Sequence, residues 1–197
     1  LLVLAAAKEL YNAAAEAEAK GLEAVTINQE ALEWVQILAE GWAAPLEGFM
    51  SEKQYLTCLH YQHITTDDGM VPMPVPIVLP ISAADKARVE GKPAFALKRE
   101  SGELIALIRN PEIFDHRREE RATRTFGIDA NKDHPYVEKI MDAPEHLVGG
   151  KIEVFARIMQ NDKLDQWRLS PAELRTKFKA IGADAVFVFQ LRNPVHN

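Results

Sequence analysis

Leu32, Val35, Leu38 and Ala39 recur three and four residues apart, with Glu30, Glu33 and Gln36 between them. That spacing predicts an amphipathic helix, opened by Asn28 as its cap and stopped by Gly41. Upstream, Leu4 to Lys20 is rich in Ala, Glu and Lys and is followed by Gly21, which predicts a first helix. Gly41 to Met50 mixes Trp42, Leu46 and Phe49 with Gly and Pro45 and reads as a packed loop, with a short helix after it at Glu52 to Leu59. Prolines at 72, 74, 76 and 80 break the apolar residues Val75, Ile77, Val78 and Leu79 into an interrupted edge strand. The runs 94–98 and 104–108, separated by Ser101-Gly102, predict a β-hairpin. Asn110-Pro111 then supplies a cap and a first-turn proline for a charged helix through Arg124, closed by Gly127.

Further on, His134-Pro135 opens a short helix to Asp142, Gly149-Gly150 reads as a turn, and 151–158 alternates like a half-buried strand. Ser170-Pro171-Ala172-Glu173 combines an N-cap, a first-turn proline and a capping-box glutamate, which predicts a helix to about Ile181. Beyond Gly182, the uninterrupted apolar run Ala185-Val186-Phe187-Val188-Phe189 predicts a strand buried on both faces, as in a parallel α/β sheet.

Composition narrows the function class. The 197 residues carry 23 basic and 29 acidic groups, a net charge of -6, which counts against broad nucleic-acid or anionic-membrane binding. Cys58 is the one cysteine, so no disulfide framework or paired-cysteine zinc ribbon exists within the sequence, and the thiol reads as a small buried hydrophobe. The apolar opening Leu1 to Ala7 is too short for a bilayer span and has no basic residues before it, so the expected setting is cytoplasmic, cytosol or nucleus. The chain starts without Met and stops just after a patterned segment, which reads as a piece of a longer polypeptide.

Chemistry concentrates after the last strand, in Gln190-Leu191-Arg192-Asn193-Pro194-Val195-His196. Polar groups past the carboxyl end of a buried strand, beside a helix start at Asn193-Pro194, outline an anion site of the phosphate or sulfate type. The tripeptide Arg-Asn-Pro also occurs at 109–111, so local cap chemistry is the competing reading; Gln190 and His196 distinguish the second copy. His60-x-x-His63 lacks the glutamate and third ligand of a zinc helix and reads as structural. The run His116 to Arg121 alternates charge at helical spacing and reads as a solvated, self-paired face. Trp42 reads as a packing residue, and Trp34 and Trp167 as core or domain-contact residues.

These residues resemble ATP sulfurylase (sulfate adenylyltransferase), marked by Gln-x-Arg-Asn-Pro-x-His-x-x-His, over the first seven motif positions. The likeness extends through residues 39–50, Ile108 to Glu112, Arg118 to Arg121 and Asp165 to Pro171, and is strongest to the sulfurylase part of bifunctional phosphoadenosine-phosphosulfate synthases, which carry an adenylylsulfate kinase as well. It implies an α+β fold: a PUA-like, β-barrel-containing N-terminal domain with flanking helices over 1–168, then 169–197 as the truncated beginning of an α/β, Rossmann-like nucleotidyltransferase domain, holding its first strand. It also implies transfer of AMP from ATP to sulfate, with Gln190 and Arg192 holding sulfate, Gln190, Asn193 and His196 facing the ATP phosphates, and Arg192, Asn193 and His196 as the catalytic set. Mg2+ would arrive with ATP, and the parent protein would be a homodimer. The motif's second histidine falls beyond Asn197, so the chain alone is expected to be inactive. The alternatives are a stand-alone PUA-like module binding RNA or protein, and a non-catalytic dimerisation scaffold.

Overall fold

A computed structural model describes residues 8–67, 69–127 and 133–191. Its centre is a six-stranded mixed sheet, and the sheet is built around a long antiparallel pair. In chain order the helices are α1 (Ala15–Ala19), α2 (Gln29–Ala39), α3 (Glu52–Tyr61), α4 (Ala83–Val89), α5 (Arg118–Phe126), α6 (Pro135–Asp142) and α7 (Pro171–Ala180). The strands are β1 (Ala24–Thr26), β2 (Gly48–Phe49), β3 (His63–Thr66), β4 (Gly69–Pro72), β5 (Leu79–Ile81), β6 (Ala94–Lys98), β7 (Leu104–Asp115) and β8 (His146–Val154). The order across the main sheet is β1-β6-β7-β8-β2, with β5 pairing the other half of β8, and β3-β4 form a separate hairpin. The sheet stays open rather than closing into the barrel the sequence led one to expect. Its outer strands β1, β2 and β5 have only 3, 2 and 3 residues, too short a ladder to carry closure.

Alternation explains how β6 is buried on both faces. Phe95 and Leu97 join the main core with Val35, Leu38, Ile108 and Leu147, whereas Ala96 and Leu107 pack with Ala15, Ala19 and Phe155 under α1. Three of the four helices predicted from caps stand where expected. The Asn28 side chain accepts a hydrogen bond from the Ala31 N–H at 2.9 Å, and Ser170 forms a reciprocal capping box with Glu173. His134-Pro135 likewise opens α6, and Gly127 closes α5.

Four expectations are corrected. The first helix is confined to Ala15–Ala19, because Leu10 and Asn12 run extended beside the end of β8, exchanging backbone bonds with Val154 at 2.9 and 2.7 Å. Residues 4–7 of that prediction lie outside the described residues. Asn110-Pro111 does not start a helix; it lies inside β7, at a bulge where the register with β8 shifts between Arg109 and Glu112. Asn110 there has φ +48°, a conformation asparagine tolerates, and proline suits a bulge because it has no N–H to lose from the ladder. Gly149-Gly150 is no turn but the middle of β8, where β2 and β7 press on both sides. A Cβ on Gly48 of β2 would fall 1.9 Å from the Gly150 carbonyl oxygen, and one on Gly150 would fall 2.8 Å from that of Arg109. Finally, Ala185 to Phe189 forms no strand: Phe187 and Val188 are 94% and 87% exposed, since a strand buried on both faces needs flanking strands that no described residue supplies.

Candidate functional site

The segment leading to the candidate anion site is pinned at its base. Asp165 accepts from the backbone N–H groups of Gln160 and Asn161 at 3.0 and 2.8 Å and from the Arg168 guanidinium at 3.0 Å. Arg168 also forks onto Asp162, which holds the Asp162 carboxyl far below the usual carboxylate range. Arg157 donates to Glu173 at 2.9 Å and to the Arg168 carbonyl, and the buried Ser170 hydroxyl donates to Glu9 at 2.7 Å. The Asp165-Gln166-Trp167-Arg168-Leu169-Ser170-Pro171 stretch is therefore a hinge lock that fixes where α7 begins. Removing its cap has a definite expected cost. Ser170→Ala should destabilise the protein by about 1–2 kcal/mol, the range for a lost N-cap with a second buried hydrogen bond. Urea unfolding and limited proteolysis within 171–181 check this; an unchanged midpoint and cleavage rate would refute the lock.

Beyond α7 the chain runs exposed to Gln190, itself exposed. Arg192, Asn193 and His196, and with them the predicted helix start at Asn193-Pro194, lie outside the described residues. Gln190 is thus the one candidate residue whose surroundings are described.

Glu40 to Met50 is largely packed, although Trp42, read as a packing residue, is 52% exposed. Glu40, 4% exposed, accepts from the Trp42 indole N–H at 2.9 Å and from Gln36 at 3.1 Å, Ala44-Pro45 is cis, and Met50 is fully buried with its N–H on the Ile77 carbonyl at 3.0 Å. The two histidines of His60-x-x-His63 diverge because α3 ends at Tyr61. His60 meets Glu120 at 2.7 Å, and the His63 Nδ1–H donates to the Tyr61 carbonyl at 3.0 Å. The Cys58 thiol is buried, donates to the Met73 carbonyl at 2.9 Å and is pushed up to about 11 by burial.

The charged run 116–121 departs most from its sequence reading. Arg117 does pair with Glu52 and Glu120, at 2.9 and 3.7 Å. His116, however, is buried: its Nδ1–H donates to the Pro144 carbonyl at 2.8 Å, and its Nε2 accepts from Arg121 at 3.0 Å. Arg118 caps the end of α6 by donating to the carbonyls of Met141 and Ala143, both at 2.9 Å. Counting charge alternation missed this cluster. The available signal was an imidazole two residues after Phe114, the last buried position of β7.

Burial, reinforced by the charges of Arg121 and Arg118, pushes His116 down from 6.5 to about 4, against the Pro144 hydrogen bond. The native state therefore binds fewer protons than the unfolded chain between those values, so stability is complete above about pH 6.5 and falls as pH drops toward 4. The expected loss is about 3 kcal/mol, at about 1.4 kcal/mol per pKa unit. Urea unfolding between pH 7 and 4 should show that slope, and His116→Gln should flatten it. Equal slopes in both proteins would contradict the assignment.

Comparison with known proteins now bears on the whole chain. Residues 1–157 match the model of the PUA-like domain. The chain belongs to the PUA-like domain family. Behind this PUA-like domain, residues 165–197 match the ATP-sulfurylase model, which covers the pinned segment, α7 and the Gln190–His196 stretch. ATP sulfurylase 2 of Arabidopsis thaliana is 45% identical over 92% of the chain and 38% of its own length, and ATP sulfurylase 4, chloroplastic, of the same plant is 46% identical over 88% and 37%. A sulfate adenylyltransferase of Cenarchaeum symbiosum (strain A) is 31% identical over 91% of the chain and 46% of its own length. The chain thus spans less than half the length of these relatives. Among solved structures, the hexameric APS kinase from Thiobacillus denitrificans shares the PUA-like fold, with a TM-score of 0.63 at 22% identity over 89% of this chain and 30% of that one. Among the described residues no helix is long and apolar enough to cross a membrane.

Proposed function

We propose that this chain is the N-terminal portion of a sulfate adenylyltransferase, which transfers AMP from MgATP to sulfate and releases pyrophosphate. The observation carrying this reading is Gln190-Leu191-Arg192-Asn193-Pro194-Val195-His196 lying inside the stretch similar to the ATP-sulfurylase model. In the longer protein, residues 169–197 open an α/β nucleotidyltransferase domain behind the PUA-like domain of 1–168, and Ala185–Phe189 becomes a central strand once neighbouring strands cover it. The exposure of Phe187, Val188 and Phe189 supports that placement, since such side chains need a partner surface.

Chemically, a sulfate oxygen attacks the α-phosphorus, the α–β bridging P–O bond breaks, and pyrophosphate leaves with the electron pair. Sulfate is a dianion at neutral pH, so no general base is needed. The obstacle is the repulsion between two anions and the charge of the crowded transition state, which positioned donors relieve. Arg192 supplies a planar fork matched to a tetraoxyanion, with Gln190 as a neutral donor beside it. Asn193 and His196 face the ATP phosphates at the start of the following helix, with Gln190 at the boundary of the two subsites. Mg2+ travels on the phosphates as part of the substrate.

The parent is a homodimer working in the cytosol, and these 197 residues alone do not turn over. The reverse reaction tests the reading: the full-length protein should form ATP from adenylylsulfate and pyrophosphate. A folded, nucleotide-binding full-length protein that forms none would reject it.

A further inference from the structure

The N-terminal end of α2, the approach to β5, α5 and α6 together enclose a cavity of about 580 Å³, whose described lining includes no residue of 165–191. Its size falls in the range of small-molecule sites, roughly 300–1,000 Å³. The walls are aromatic: Trp34 on α2, Phe126 at the end of α5 and Tyr136 on α6, the last two remaining 38% and 61% exposed. Val78 adds an aliphatic surface.

Charge in the cavity is arranged unevenly. Three carboxylates and Lys139 line it, and each carboxylate is engaged: Glu30 by Lys139 at 2.6 Å, Asp85 by the Ser82 hydroxyl at 2.6 Å and by Arg88, and Asp142 by a contact of its own. Arg121 also lines the cavity, and its hydrogen-bond partner among the described residues is the uncharged Nε2 of His116. Burial disfavours its charged form; Tyr55, Glu30 and Cys58 oppose that effect without reversing it, and Glu30 is itself paired with Lys139. A guanidinium has five N–H donors in a fork suited to a carboxylate, and one imidazole nitrogen satisfies a single one.

We propose that this cavity is a binding site for a small aromatic carboxylate, its ring held among Trp34, Phe126 and Tyr136 and its carboxylate on Arg121. The ligand supplies both things the cavity lacks, flat apolar surface for exposed aromatic rings and a negative charge for a cation bonded to a neutral group. The site is separate from sulfate and nucleotide chemistry, so it stands whether or not the chain belongs to an active adenylyltransferase.

The test uses 1-naphthoate as probe and 1-naphthylmethanol as its neutral counterpart, titrated calorimetrically into the 197-residue chain. Saturable binding of one naphthoate per chain is expected, at least about tenfold tighter than the alcohol. Arg121→Met should remove that preference, and Phe126→Ala, at a partly exposed position, should weaken both probes while leaving the urea midpoint nearly unchanged. Absence of saturable binding, equal affinity for acid and alcohol, or naphthoate binding unaffected by Phe126→Ala would each overturn the proposal. Should Arg121→Met fail to fold, Arg121→Lys is read instead, and an undiminished preference for the acid in the Phe126→Ala protein still supports it.

Discussion

Gly48→Ala is expected to destabilise the protein by about 4 kcal/mol or more, enough to leave much of a marginally stable domain unfolded at 37 °C. The added methyl would sit 1.9 Å from the Gly150 carbonyl oxygen and 2.9 Å from the Ile152 nitrogen, both backbone atoms of β8. Side chains can rotate away from an intruder, but here the strand itself must move, and β8 is bonded to β7 on one side and to β2 and β5 on the other. Gly21→Ala is the matched control. Its methyl would meet only the Glu18 carbonyl oxygen, at 3.6 Å, and its expected effect is within about 0.5 kcal/mol. Equal urea midpoints for the two variants would show that β2 does not lie against β8 as described.

Arg192→Ala, made in the full-length protein, is expected to reduce kcat/KM for sulfate by about 30- to 1,000-fold, corresponding to about 2–4 kcal/mol for a lost oxyanion donor. Alanine removes both the charge and the fork, whereas Arg192→Lys keeps the charge alone and should recover only part of the loss. The KM for ATP should change less than the KM for sulfate, because Asn193 and His196 rather than Arg192 are assigned to the phosphates. A uniform fall in both, with a lowered unfolding midpoint, would instead mark Arg192 as structural.

How much of this was legible in the sequence depends on how local the signal is. Caps are local: Asn28, His134-Pro135 and Ser170-Pro171-Ala172-Glu173 each declare a helix within four residues, and each stands where it was read. The 94–98/104–108 hairpin was legible for the same reason, since alternation and the turn are adjacent. Signals that depend on a distant partner were misread. Arg109-Asn110-Pro111 has the composition of a helix start, yet pairing with β8 forty residues later turns it into a bulge in a 12-residue strand. Gly149-Gly150 has the composition of a turn, and it takes the Met50 carbonyl oxygen, 2.3 Å from where a Gly149 Cβ would sit, and that of Arg109, 2.8 Å from where a Gly150 Cβ would sit, to explain why two glycines stand in mid-strand. His116 and Arg121 looked like surface charge until α6 and the Pro144 carbonyl were brought against them. The candidate site is the reverse case. Gln190, Arg192, Asn193 and His196 fall within seven residues, so the motif was readable, but Arg192, Asn193 and His196 lie outside the described residues.

The most direct test of the central claim is molybdate-dependent pyrophosphate release from ATP by the full-length protein, with the 197-residue chain measured alongside. Molybdate takes the place of sulfate and gives an unstable product, so turnover accumulates pyrophosphate. Sustained release is expected from the full-length protein and none from the 197-residue chain. A folded full-length protein that binds ATP yet releases no pyrophosphate with molybdate would contradict it.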